Sequence, residues 1–250
     1  MTNSNRTAGF LAALLALTLQ ACGGGGSDNS RAQQPPLPPP APPPPPAAFA
    51  VTVTNLTNAQ PLSPVAVIAH RDAYSVFTVG APATVGLEEL AEGGDNTALI
   101  AEATGNVAVR ATRSGAAPIG PGASERVDIE VLQADVSNLR ISVSTMLVNT
   151  NDAISGINGT DVSGMAVGDA VMLRAIAYDA GTEANTELAS DIPGPAGGGE
   201  GFNPARSDRF DRVTMHTGVV SQDDGFAASA LSGQHRFDNP TVQVRIERVN

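Results

Sequence analysis

Two polar segments of the chain concentrate the side chains that could bind a metal ion. The first is residues 149–152 (Asn-Thr-Asn-Asp), and the second, residues 178–187, holds Asp179 and Glu183 four positions apart around a glycine. Calcium (Ca²⁺) takes about six to eight oxygen ligands from carboxylates, amides, backbone carbonyls and water. Both carboxylates of the second segment can face one point across the turn, and Asp152 can close the site from a neighbouring strand end. The same residue types also form ordinary polar turns, so the spacing alone leaves both interpretations open.

Catalytic signatures are absent from the sequence. It contains no His-Glu-x-x-His, Gly-x-Ser-x-Gly, phosphate-binding or dinucleotide-binding motif. The three histidines, His70, His216 and His235, lie far apart, and no nucleophile motif accompanies them. We therefore predict that the protein is not an enzyme. A hydrolase remains an alternative, because a fold can bring His, Ser and Asp together from distant positions.

Composition excludes several classes of partner. The chain of 250 residues carries 25 acidic and 14 basic residues, every basic residue is arginine, and Trp is absent. Few cations are available to neutralise phosphates and few aromatic rings to stack on bases, so we predict no nucleic-acid binding. The single cysteine, Cys22, excludes disulfides within the chain and a zinc site built from several cysteines.

The first 21 residues have the features of an export signal. Arg6 supplies a positive charge, and residues 10–19 form an apolar run that is short for a transmembrane helix. The run ends in Leu-Gln-Ala-Cys at residues 19–22, which resembles the lipobox of bacterial lipoproteins. The resemblance implies that Cys22 is acylated and anchors the protein in a lipid bilayer. The alternative is a free thiol in an ordinary signal peptide.

The residue after the cysteine bears on the destination of the protein. Gly23, rather than Asp, follows Cys22. By resemblance to Gram-negative lipoproteins, this implies sorting to the outer membrane, with the domain facing either the periplasm or the cell surface.

Residues 22–48 are predicted to be a linker. Residues 23–26 are all glycine, and residues 35–46 hold ten of the 19 prolines. A proline run adopts the polyproline II conformation and acts as a semi-rigid spacer. We favour a spacer because the position between anchor and domain explains the run. The alternative is a ligand for proline-binding modules.

Residues 49–250 have the composition of one globular domain. Eight segments show the period-two alternation of half-buried strands: residues 49–54, 65–69, 107–111, 127–131, 139–143, 170–177, 213–220 and 242–249. Gly, Pro, Asn and Asp separate them, which favours an all-β fold, an antiparallel β-sandwich. Residues 85–92 and 97–103 are predicted to form one or two short helices in the connections, and residues 196–212 a surface loop.

Several motifs in the chain from residue 49 to about residue 220 resemble the spondin N-terminal domain, which occurs in F-spondin, mindin and many bacterial secreted proteins. They are residues 51–57 with 60–64 (VTVTNLT and QPLSP), 86–95 (GLEELAEGGD), 146–156 (MLVNTNDAISG) and 177–183 (AYDAGTE). The resemblance implies a sandwich similar to C2 domains and a calcium ion bound by acids of the last two motifs. Carried over by motif, those acids are Asp152, Asp179 and Glu183.

These observations together predict a non-enzymatic, calcium-binding lipoprotein of the cell envelope with an adhesion or extracellular binding role. Its partner is predicted to be an envelope protein or a glycan. The alternatives are a structural component of the envelope and, third, an unrecognised hydrolase. A cavity with convergent histidine and carboxylate groups would favour the hydrolase, and an exposed apolar patch would favour a protein partner.

Overall fold

The computed structural model describes residues 41–250, which form two antiparallel β-sheets and two short helices. The all-β sandwich predicted from the sequence is therefore confirmed. The strands are β1 (Ala47–Asn55), β2 (Ala66–His70), β3 (Val109–Ser114), β4 (Ser124–Val131), β5 (Arg140–Met146), β6 (Ala153–Asp161), β7 (Ala170–Ala175), β8 (Ala177–Asp179), β9 (Thr214–Met215) and β10 (Val242–Arg248). The helices are α1 (Val85–Gly93) and α2 (Thr97–Thr104).

The strands divide into a four-stranded sheet, in the order β4-β1-β10-β7, and a six-stranded sheet, in the order β3-β2-β5-β6-β8-β9. Each pair of neighbours is antiparallel. In the four-stranded sheet, β1 pairs with β10 from Phe49 opposite Arg248 to Asn55 opposite Val242. The first and last strands of the domain therefore lie side by side.

The main core fills the space between the two sheets. Alternate residues of each strand point into it because successive side chains of a strand face opposite ways. The buried side chains include Phe49, Val51 and Val53 of β1, Val242, Val244 and Ile246 of β10, and Val67, Ile141 and Val143 of the six-stranded sheet.

The two helices add a layer on the outer face of the six-stranded sheet. Strand β2 is buried on both faces: Val67 faces the core between the sheets, whereas Ile68 packs with Leu87 and Leu90 of α1 and with Leu99 of α2. A two-sided burial of this kind explains why residues 66–70 are apolar almost throughout.

Helix α1 has well-defined ends. The side chain of Thr84 accepts a hydrogen bond from the backbone N–H of Leu87 at 3.2 Å, which caps the first turn. Gly94 ends the helix with φ at 72°, a left-handed conformation that glycine adopts without a steric penalty.

The long connection between β8 and β9, residues 180–213, folds back over α1. Arg206 fixes it there: its Nη2 donates to Glu88 Oε2 at 2.7 Å and to the carbonyl oxygen of Ala83 at 2.8 Å, and its Nη1 donates to Asp211 Oδ1 at 2.5 Å. The Glu88 side chain is only 4% exposed. The arginine therefore compensates a carboxylate that is almost completely buried.

Strand β6 is not among the strands predicted from the sequence. Its Gly, Ser, Asn and Thr residues lack a period-two apolar pattern, yet it pairs with β5 on one side and with β8 on the other. Gly156 permits this close pairing, since a Cβ atom there would lie 1.8 Å from the carbonyl oxygen of Val143.

Three other boundaries differ from the predictions. Strand β1 begins at Ala47, two residues before the predicted start of the domain, and Ala47 is fully buried opposite Val131 of β4. The segment predicted at residues 170–177 is divided between β7 and β8, which belong to different sheets. Of residues 213–220, only β9 is extended and paired, because Gly218, with φ at 93°, turns the chain soon afterwards.

No helix within residues 41–250 combines the length and the apolar character needed to cross a membrane. The predicted export signal, Cys22 and the predicted linker as far as residue 40 lie outside the described residues.

Candidate metal centre

The three predicted ligands belong to connected ends of two neighbouring strands. Asp152 comes directly before β6, and Asp179 is the last residue of β8. The register of these strands places Ala153 opposite Asp179, and the backbone N–H of Ala180 donates to the carbonyl oxygen of Asp152 at 3.2 Å. Glu183 follows in the turn after β8. The fold therefore brings the two motifs to one place, although 26 positions separate Asp152 from the start of the second segment.

Asp152 is a fully buried carboxylate that is only half satisfied. Its Oδ2 accepts from the backbone N–H groups of Thr182 and Glu183, at 2.8 and 3.1 Å, and from Thr182 Oγ1 at 3.3 Å. Its Oδ1 is buried without a hydrogen-bond partner among residues 41–250. Burial, followed by the charge of Asp179, raises the pKa of Asp152 to about 7. The environment thus disfavours the ionised form unless a positive charge compensates it.

Asp179 is partly exposed and already has a donor on each oxygen. Its Oδ1 accepts from the backbone N–H of Gly181 at 2.8 Å, and its Oδ2 accepts from Asn185 Nδ2 at 2.6 Å. The side chain lines a cavity of about 220 Å³, together with Asn185, Arg212 and Thr214. Gly181 makes this turn possible because its φ is 72° and because the backbone of Arg212 packs against it.

Glu183 lies among more acids than the sequence predicted. Burial, then the charges of Glu92 and Asp191, raise the pKa of Glu183 to about 8, and a hydrogen bond from Asn151 partly opposes the shift. Asp152 also contributes to the increase. Glu92 of α1 is itself buried, and its Oε2 accepts from the backbone N–H of residue 203 at 2.9 Å. The acidic region therefore extends from the strand ends to helix α1.

Sequence reasoning missed Glu92 and Asp191 as neighbours of the site. Helical spacing gave no signal for Glu92, because the buried Leu87 and Ala91 lie five residues and one residue before it, and neither spacing places two side chains on the same face of α1. Asp191 gives no signal either, because a long irregular loop carries it. Asn151 was recognised as a polar loop residue but not as a donor to Glu183.

As the side chains stand, no group of three or more His, Cys, Asp or Glu residues within residues 41–250 is arranged to hold a metal ion. The chemistry of the region nevertheless fits a hard cation. Its donors are all oxygen atoms, Asp152 Oδ1 is buried without a partner, and the neighbouring carboxylates disfavour one another's ionisation. The side chains must therefore rearrange to close a site around an ion. Asp152 would keep its position, because backbone N–H groups hold its Oδ2.

His216 lies near this region but is not suited to bind a cation. It is buried, and its Nδ1 accepts from the backbone N–H of Gly218 at 2.9 Å. In the neutral ring the proton is then on Nε2, which has no partner among the described residues. Burial lowers the pKa of His216, and the charge of Asp179 partly opposes that shift. Neither nitrogen therefore presents a free lone pair.

One histidine–serine pair tests the hydrolase alternative. His70 Nε2 and Ser142 Oγ are 2.8 Å apart, and His70 Nδ1 is 2.8 Å from the carbonyl oxygen of Arg71. The two side chains, on the paired strands β2 and β5, are completely buried, so a substrate cannot reach the hydroxyl. Ser142 Oγ also accepts from the backbone N–H of Gly159 at 2.8 Å. The pair has the contacts of a structural hydrogen-bond network.

The fold and this site define an all-β sandwich domain with acidic loops at one end of two neighbouring strands. A family model, the spondin N-terminal domain (Spondin_N), matches residues 54–193 of the chain. The chain therefore belongs to the spondin N-terminal domain family, as the motifs predicted. Membership of this family indicates a non-enzymatic, extracellular binding domain. A search of curated proteins found no match to the chain.

Proposed function

We propose that the protein is a calcium-stabilised, non-enzymatic binding domain that an acylated Cys22 holds at a bacterial outer membrane, where it contacts an envelope protein or a glycan. The observation that carries the calcium part is Asp152, whose buried Oδ1 lacks a partner among the described residues. A buried polar atom without a partner costs about 1–3 kcal/mol, and more when it is charged. A cation beside Oδ1 removes that cost.

Asp152, Asp179 and Glu183 would hold the ion, and amide oxygens, backbone carbonyls and water would complete its shell. Calcium supplies positive charge at this point. The hydrogen bonds from Thr182 and Glu183 to Asp152 Oδ2 hold the carboxylate in place, so that its other oxygen keeps one direction. Binding also requires deprotonated carboxylates, and the raised pKa values of Asp152 and Glu183 make calcium compete with protons near neutral pH.

Calcium should raise the melting temperature of the domain. With free calcium about a hundredfold above its Kd, the added stability is about 2.7 kcal/mol, which for a domain of this size corresponds to a Tm increase of about 5–10 °C. The increase should be larger at pH 8 than at pH 6, because protons occupy Asp152 and Glu183 at the lower pH. Magnesium should replace calcium poorly, since it requires a smaller octahedral shell. Calorimetry in calcium, magnesium and chelator measures each effect.

Two variants and a matched control make this experiment specific. Asp152→Asn should abolish the calcium response while its Tm in chelator at pH 8 equals or exceeds that of the wild type, because the buried charge is gone. Asp179→Asn should weaken the response. Asp128→Asn makes the same chemical change on β4, where the side chain is 59% exposed, and should leave the response intact. A wild-type Tm that ignores calcium, or equal responses in all four proteins, would contradict the calcium assignment.

The lipid anchor is tested separately from the calcium site. Replacing Cys22 with serine removes the thiol that would carry the acyl chain, so Cys22→Ser should abolish labelling by a radioactive or clickable fatty acid and release the protein from membranes. Several acyl chains hold a protein stably at a bilayer, whereas adsorption without them is weak. If Cys22→Ser still sediments with the outer membrane, an anchor at this residue is the wrong explanation.

A further inference from the structure

A cavity distant in sequence from the acidic loops lies between residues 73–84 and helix α2. It has a volume of about 320 Å³, and Tyr74, Ser75, Thr84, Glu102 and Asn106 line it with polar groups. The buried side chains of Val76 and Leu99 form its apolar part. A volume above about 300 Å³ with a few convergent polar groups is typical of small-molecule sites.

Several polar groups of the cavity are free to bind a ligand. Among residues 41–250, the hydroxyl groups of Tyr74 and Ser75 have no hydrogen-bond partner; neither does Asn106 Nδ2. Asn106 Oδ1, in contrast, accepts from the backbone N–H of Ala108 at 2.9 Å, which fixes the orientation of the amide. Burial, followed by the charge of Glu102, raises the pKa of Tyr74 to about 12, so its hydroxyl stays protonated and can donate.

The charge of the cavity restricts what it can bind. Glu102 is the only carboxylate and no arginine is present among the described residues that line it. Glu102 Oε1 accepts from the backbone N–H of Gly86 at 2.8 Å, in the first turn of α1. The helix N-terminus, where an anion would otherwise bind, is thus already occupied by a carboxylate. The same contact partly compensates the charge of Glu102, which leaves its other oxygen as an acceptor for a hydroxyl group.

A second cavity adjoins the first. It has a volume of about 200 Å³ and shares Ser75, Val76 and Thr84 with the larger one. Phe77 and Pro82 are among its other lining residues. The two cavities therefore adjoin each other along residues 73–84, each with apolar surface beside hydroxyl groups, and we call the pair the two-lobed groove.

We propose that this two-lobed groove binds a neutral saccharide of at least two sugar units. A sugar ring presents apolar C–H faces and a rim of hydroxyl groups that both donate and accept, which matches the apolar lining and the mixed donors and acceptors of the groove. An anionic sugar would meet Glu102 without a compensating cation. A simple ammonium ion would use Glu102 but would leave the donors of Tyr74 and Asn106 without an acceptor. The inference rests on the proposed binding role of the domain and is independent of the calcium site.

Ligand-observed NMR with the full chain tests the proposal. The probes are neutral disaccharides and trisaccharides built from hexoses and from N-acetylhexosamines, a uronic-acid disaccharide and a simple primary amine, each titrated with calcium and with chelator. We expect millimolar or tighter binding of at least one neutral probe, weaker binding of its monosaccharide, and no binding of the uronate or the amine. Stabilisation of the domain by calcium is measured by Tm, whereas saccharide binding is measured by NMR. Failure of one proposal is therefore distinguishable from failure of the other.

Variants locate the site. Tyr74→Phe removes one hydroxyl without a structural hydrogen bond and should weaken saccharide binding about 3- to 10-fold, the effect of one hydrogen bond. Tyr178→Phe is the matched control, since Tyr178 is the other tyrosine of the chain and packs on Phe77 without lining the larger cavity. Asn106→Asp, which keeps the acceptor for Ala108 and removes the free donor, should also weaken binding.

Three results would overturn the proposal: no neutral saccharide binds at millimolar concentrations, the amine or the uronate binds in preference, or Tyr74→Phe and Asn106→Asp both bind as the wild type does. Retention of the wild-type Tm in each variant confirms that a loss of binding does not come from unfolding.

Discussion

Replacing Gly181 with alanine should destabilise the domain far more than its position in a loop turn would indicate. A Cβ atom at residue 181 would lie 2.3 Å from the carbonyl oxygen and 2.5 Å from the nitrogen of Arg212, so the backbone must move at one of these two ends of the connection between β8 and β9. The φ of 72° adds the penalty of a left-handed conformation. We expect a loss of about 3–5 kcal/mol in the free energy of unfolding, which combines backbone strain with steric overlap. Urea denaturation measures it.

Gly122 provides the control for that experiment. Its φ is 75°, almost the same as that of Gly181, but a Cβ atom added at residue 122 would have no other atom within 4 Å. Gly122→Ala should therefore lose only the conformational part, about 1–2 kcal/mol. The difference between the two variants isolates the contact with Arg212. Equal losses would show that the loop around residue 212 yields freely and does not hold the turn after β8.

Replacing Arg206 with alanine should cost about 3 kcal/mol, although the residue belongs to an irregular loop. The change leaves the carboxylate of Glu88 buried without its cation, and removing one partner of a buried ion pair typically costs about 3–5 kcal/mol. Arg206 contacts Glu88 Oε2, and Glu88 Oε1 has no hydrogen-bond partner among the described residues. We place the expected value at the low end because Arg206 is 24% exposed.

A second substitution separates the charge effect from lost packing. In the background of Arg206→Ala, Glu88→Gln removes the uncompensated charge and should recover more than half of the lost stability. Arg126→Ala is the control, because its partner Asp128 is 59% exposed and surface pairs contribute about 1 kcal/mol or less. Thermal unfolding of these variants and the wild type gives the differences. If the double variant is no more stable than Arg206→Ala, the arginine acts mainly through packing.

The sequence predicted those strands whose apolar residues alternate with polar ones or, as in β2, follow one another almost without interruption. Strand β4 alternates in this way, with Val127, Ile129 and Val131 buried between exposed residues. Strand β6 could not be found by the same rule, because its first five residues are buried on both faces and include Ser155 and Gly156. Partners from distant parts of the chain satisfy the serine: its Oγ donates to the carbonyl oxygen of Ile176 at 3.0 Å and accepts from Thr241 at 2.8 Å. Only the completed fold supplies such partners.

In the candidate site too, spacing along the chain predicted local features, whereas contacts between residues far apart in the sequence depend on the fold. The four-residue spacing of Asp179 and Glu183 around a glycine is local, and the turn it predicts is present. The proximity of Asp152 follows from the pairing of β6 with β8. The advance indications for it were the two polar segments and the family motifs, because β6 itself was not predicted as a strand. Glu92 reaches Glu183 from α1, through packing that no spacing rule describes. Calcium itself stays a prediction until the titration is made.

The central place of β1 determines how the domain would resist a mechanical load. Seven residue pairs join β1 to β10 and eight join it to β4. A force that enters at Pro46 and is resisted at the opposite end of the sandwich would pull β1 along its own axis and shear these pairs all at once. A force between Pro46 and Asn250 acts differently, because Ala48 N–H donates to the carbonyl oxygen of Asn250 at 3.1 Å and the two ends of the domain are therefore adjacent. It would peel β1 from β10 one pair at a time, so the direction of pull, rather than the number of contacts, sets the rupture force.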